Sequence, residues 1–141
     1  MQKGLSSRSR QRRYALRILF EIDINDSSLE EVLEGKSKVG GEAPRDFTLE
    51  LVRGVEEHRS ELDRIISEYA EGWDLERMPL VDRNVLRMSL YELFYIDDIP
   101  SGVTIDEAVK LAKSFSTEDS GKFVNGVLGK VNRDREAGNL P

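Results

Sequence analysis

A chain of 141 residues with 38% apolar side chains sits near the size of a single domain and can bury one continuous core. It has no cysteine, which excludes a disulfide framework, a cysteine nucleophile and thiolate metal ligation, and fits a reducing compartment. The net charge of −6 conceals a division: six basic and no acidic residues fall in the first 20, against 15 basic and 27 acidic in the rest, so a +6 end sits on a −12 body.

Residues 1–20 lack the apolar centre of a signal peptide, and no stretch approaches the length of a membrane span, so a cytoplasmic protein with no membrane partner is expected. Residues 1–7 read as a mobile tail. Ser7 or Ser9 can cap a helix from about Arg8 to Ile24, with Ala15, Ile18, Leu19 and Ile22 as its inner stripe, widened by Leu16 and Phe20. Arg10, Arg13 and Arg17 share the opposite face. At about 1.5 Å of rise per residue, such a row can follow successive phosphates of a nucleic-acid strand, each guanidinium as a bidentate donor. A merely solvated face is the other reading, but solvated faces usually mix signs and this one does not. Arg8 and Arg12 belong to the same basic run and are candidates with it.

Ser28 can cap a short helix through Leu33, and residues 35–43, with adjacent Gly40 and Gly41, read as an exposed loop. Pro44 suits the first turn of a helix whose inner face is Phe47, Leu51, Val52 and Val55 and which ends near His58. That single histidine has no second ligand at metal spacing and reads as a surface residue. Ser60 caps the next helix, where Leu62, Ile65, Ile66 and Tyr69 follow the i, i+3, i+4, i+7 rule and Gly72 closes it. Residues 73–80, containing Pro79, form a connector.

The stretch from Asp82 to Ile99 organises the rest. On a helix at roughly 100° per residue its apolar side chains point nearly all the way round, so it must be wrapped by other helices. Tyr91, Glu92 and Tyr95 read as core residues whose polar atoms find partners. After Pro100, Thr104 and Glu107 have the spacing of a capping box ahead of Ile105, Ala108, Val109, Ala112 and Phe115. Residues 116–121 are a polar turn; Val124, Val127, Leu128 and Val131 pack the last helix, and residues 134–141 read as a charged, mobile tail. Alternation of period two is absent, so the chain is read as all-α, about seven helices in one domain over residues 1–141, with no internal repeat.

On the last helix Phe123 lies about 90° from the centre of the apolar stripe, beside Lys130 and with Lys122 and Gly126 on the same outer side. Such a ring can stack on an unpaired base, a contact worth about 1–3 kcal/mol, or tuck under a neighbouring helix; spacing leaves both readings open. No nucleophile stands beside a base, and neither a phosphate loop nor a metal-ligand cluster is present, so no catalysis, cofactor or metal is expected and the chain should act by occupancy.

The arginine-rich first helix leading to RYALRILFEID, then VDRNVLRMSLYEL, IPSGVTIDEAVKLAKSF and STEDSGKFVNGVLGKV, in that order and over essentially the whole chain, closely resembles the bacterial NusB transcription antitermination family. The resemblance implies two packed helical subdomains and binding to the boxA element of ribosomal RNA leader transcripts, together with a small-subunit ribosomal protein known in this role as NusE, for the antitermination complex of RNA polymerase. Carried over locally, it implies an RNA surface at Arg10, Arg13, Arg17, Lys122 and Phe123, and a ribosomal-protein side at Asp82 and Asp119. Two alternatives stand beside it: a self-associating helical module forming a homodimer, and a detached form of the similar domain that precedes some RNA cytosine-5 methyltransferases.

Overall fold

A computed structural model describes residues 7–39 and 44–140. Among them are seven α-helices, α1 (Ser7–Asn25), α2 (Leu29–Val39), α3 (Asp46–Glu57), α4 (Arg59–Tyr69), α5 (Leu80–Tyr95), α6 (Ser101–Phe115) and α7 (Glu118–Glu136), with a 3-10 turn at Leu75–Arg77 and no strand. The expected tail before Ser7 and the Gly40–Gly41 part of the expected loop lie outside the described residues. No helix described is long and apolar enough to cross a membrane.

Helix α5 is the axis, as its all-round apolar surface requires: it packs against α1, α3, α4, α6 and α7, and from Asp82 to Leu93 every residue but Arg83 and Tyr91 is buried. α1, α2 and α3 form one group beside it, the α6–α7 hairpin the other, and α4 touches α3, α5 and α7. The helix ends earlier than the expected Ile99. Ile96 turns to extended backbone as the C-cap, and Pro100 disfavours helical geometry at Ile99 before opening α6.

Several expected boundaries move for physical reasons. Ser28 and Glu31 do form a reciprocal capping box, each side chain accepting the other's backbone N–H at 3.1 and 3.0 Å, but the helix they start runs on to Val39. α3 and α4 share His58 as C-cap and N-cap, so Ser60 lies inside α4 and caps nothing. α7 extends to Glu136 into the span expected as a tail, and Tyr69 donates to Asp134 Oδ2 at 2.6 Å, which pushes the phenol up to about 12.

The Thr104–Glu107 capping box is not formed, because α6 begins at Ser101 and both residues are spent elsewhere. Glu92 accepts from Arg12 Nε and Nη2, each at 2.8 Å, and from Thr104 Oγ1 at 3.0 Å; Glu107 accepts from Ser9 Oγ at 2.7 Å and stands 3.6 Å from Arg12 Nη1. This buried network ties α1, α5 and α6 together. A second centres on Asp23 of α1, which accepts from Arg83 (3.0 Å), Asn84 (2.9 Å) and Arg87 (3.2 Å) on α5 and from Arg59 (3.3 Å) on α4.

Candidate nucleic-acid interface

On α1 the arginine row is sorted by helix face. Arg10 and Arg17 are exposed and Arg13 is half-buried. The guanidinium groups of Arg13 and Arg17 lie 4.9 and 5.5 Å from the ring centre of Phe115, at the end of α6, and Arg13 Nη1 donates to Ser114 Oγ at 3.4 Å. The aromatic face holds both cations in place while leaving donors toward solvent. Arg8 is exposed further up the helix, 4.7 Å over Phe47 and 3.6 Å from Asp98.

Arg12 does not belong to that surface. It is 3% exposed and gripped by Glu92 and Glu107, so it offers no phosphate contact. The sign was present in the sequence: Arg12 stands three, four and seven residues before Ala15, Leu16 and Leu19, on the inner stripe, and Glu92 is the one carboxylate inside the apolar run of α5.

At the start of α7, Thr117 caps the helix by accepting the Ser120 N–H at 3.1 Å. Lys122 and Lys130 are exposed, and Phe123 is half-buried with its ring centre 5.6 Å from that of Trp73. Part of the ring packs on the core, as the second reading expected, and part borders an open cleft of about 310 Å³ shared with Trp73, Lys122, Gly126 and Lys130. Trp73 was missed by periodicity because it lies on a connector, where no stripe exists to be out of step with.

The last turn of α6 joins the two surfaces. Ser114 and Phe115 carry the arginines on one side, while on the other Lys113 lies against Gly121, so close that a Cβ there would stand 2.7 Å from Lys113 Cγ. The α1 arginines and the first turns of α7 thus flank one common mount.

The two carboxylates expected on a partner side separate. Asp119 is exposed on the first turn of α7. Asp82 is 4% exposed, its Oδ1 has no partner, and burial pushes its carboxyl above the ordinary range against a hydrogen bond with Ser120. It therefore cannot present its charge at a contact. Its neighbour Val81 instead lines an apolar groove of about 420 Å³ with Leu16, Phe20, Ile24 and Phe115, rimmed by Arg17 and Glu21. His58 is stacked on Tyr95, ring centres 4.2 Å apart, and among the described residues no group of three or more His, Cys, Asp or Glu could hold a metal ion.

Residues 9–133 match the NusB family. The chain is similar to the transcription antitermination protein NusB of Nocardioides sp., 44% identical over 132 residues, covering 93% of this chain and 97% of the relative. Its fold superposes on T. maritima NusB with a TM-score of 0.81 at 39% identity, covering 97% of this chain and all of the other. A NusB solved with NusE and double-stranded RNA superposes with a TM-score of 0.74 at 28% identity, covering 91% and 98%.

Proposed function

Because the chain belongs to the NusB family, whose similar members are named transcription antitermination proteins, we propose that it binds the boxA element of ribosomal RNA leader transcripts together with ribosomal protein NusE. The observation that carries this reading is the mounting of Arg13 and Arg17 and of the Lys122–Phe123 segment on opposite sides of the end of α6. Phosphates are met by a preset row of cations and bases by a half-exposed aromatic.

The two parts ask for different RNA. An arginine row needs only phosphates and so accepts duplex or single strand alike, whereas ring stacking needs unpaired bases. Preference for a single strand therefore rests on Phe123, and sequence-independent affinity on Arg8, Arg10, Arg13 and Arg17. The protein works by occupancy, holding RNA and partner for the elongating polymerase, without catalysing a reaction.

NusE is assigned to the acidic body, with Asp119 and the Glu21 rim of the apolar groove as its side of the contact. Ribosomal proteins are typically basic, and the −12 outside the first 20 residues repels RNA until a basic partner covers it. Partner and RNA must then strengthen each other's binding by the same factor. Titrating boxA RNA and a scrambled control with and without NusE, at one fixed salt concentration, tests this. Tighter boxA binding with NusE is expected; equal affinity for both RNAs, or no effect of NusE, rejects the reading.

A further inference from the structure

The tryptophan of this chain stands where a core residue would not. Trp73 is 49% exposed, on a tight turn that Gly72 makes with φ +79 and that the Trp73 N–H closes on the Ala70 carbonyl at 3.0 Å. The side chain is thereby held beside Phe123, tilted 54° to it, over the cleft of about 310 Å³. The floor is open at Gly126, where an added Cβ would meet nothing within 4 Å. Lys122, Lys130 and Glu71 also line the cleft.

Resting on the RNA-binding reading above, we propose that Trp73 and Phe123, already packed against each other, form a two-ring platform on whose open side one unpaired RNA base stacks, with Lys122 and Lys130 holding the phosphates on either side of it. Two aromatic faces next to exposed cations suit a planar, uncharged group carried on an anionic backbone better than they suit an aliphatic side chain. The glycine leaves room beside the rings for the base, and Glu71 disfavours a phosphate next to itself by repulsion. The platform makes Trp73 a second stacking residue, on an element far in sequence from the arginines and from α7.

Since the sequence holds a single tryptophan, its fluorescence reports this site alone. A 5′-labelled single-stranded boxA oligoribonucleotide should quench Trp73 along the same titration curve that anisotropy of the label gives, and a duplex of the same sequence should bind with little quenching. Trp73→Ala should weaken single-strand binding by about five- to a hundredfold, and Trp73→Phe should restore most of it. Gly126→Leu fills the cleft from an open position on α7 and should act like Trp73→Ala with the circular dichroism spectrum unchanged. RNA binding seen by anisotropy without quenching, or unchanged in both Trp73→Ala and Gly126→Leu, overturns the stacking platform and leaves the proposed function standing. Quenching by NusE alone and not by RNA assigns the cleft to a protein partner and overturns it too. No RNA binding by any readout sinks the function itself.

Discussion

Arg12 and Glu92 meet through two hydrogen bonds of 2.8 Å, with side chains 4% and 2% exposed, and so fasten the first helix to the central one from inside. The pair sits in the middle of a run of residues whose other arginines face outward. One basic sequence therefore serves two purposes, and burial separates them.

Removing one member of such a pair strands the other charge without water. Arg12→Met should cost about 3–5 kcal/mol in urea unfolding, and Arg12→Met combined with Glu92→Leu should recover much of that loss. If the single variant unfolds like the parent protein, the pair does not hold α1 to α5.

The half-buried Arg13 and the exposed Arg17 should show the opposite behaviour. Arg13→Ala and Arg17→Ala should leave urea unfolding within about 0.5 kcal/mol and each lower the slope of log affinity against log salt by about 0.7–0.9, the loss expected for one phosphate contact. Folded Arg12→Met should keep the parent slope. Salt titration of RNA binding separates Arg12→Met from the other two, and an unchanged slope in Arg13→Ala and Arg17→Ala removes them from the phosphate row.

Two carboxylates should respond to pH with opposite sign. Burial pushes Asp23 up, but hydrogen bonds from Asn84 and Arg83 and the charges of Arg87 and Arg83 outweigh it and hold its carboxyl below the ordinary 3.8. Its contribution is present above 3.8 and lost as pH falls through the lowered value, so Asp23→Asn should flatten the acid limb of stability. Asp82 is raised by burial, so its contribution is present below 3.8 and lost as pH rises through the raised value. Asp82→Asn should thus raise the neutral-pH melting temperature and change little at pH 3. Thermal melts from pH 3 to 7 check both signs.

Tyr91 lies flat over Gly54 of α3: a Cβ on Gly54 would stand 2.2 Å from the ring. Gly54→Ala should therefore cost about 1–3 kcal/mol despite the better helix propensity of alanine, because the ring or the whole of α3 must shift. Gly126→Ala, with open space around it, should be neutral or stabilising. Equal effects at the two glycines in chemical denaturation would contradict the close approach.

The fold was legible wherever one face of a helix is apolar, because period 3.6 states both the element and its buried side; Leu62, Ile65 and Ile66 on α4 are all buried as their spacing requires. Polar residues with two uses were not. Thr104 and Glu107 have capping-box spacing, yet their partners lie on α5 and α1, and no local pattern announces a bond across 80 residues of chain such as Arg12 to Glu92. Asp82 looked like a helix-end carboxylate for the same reason: sequence shows its position on α5 but not the packing that buries it. The arginine face and Lys122–Phe123 were legible from charge and periodicity, whereas Trp73, on a connector, needed the three-dimensional neighbourhood of Phe123.

Only Ser116 and Thr117 separate the end of α6 from the start of α7, one closing the first helix and the other capping the second. The buried stripe Val124, Val127, Leu128 and Val131 fixes which face α7 turns inward, so inserting a single residue in the link should shift the first turn of α7, with Lys122 and Phe123, relative to Arg13 and Arg17 while leaving both caps able to form. The link is in effect a ruler. If RNA binds as proposed, its length sets how many nucleotides lie between a phosphate at α1 and a base at α7, and a stable, fully helical insertion variant should read the wrong interval along the RNA.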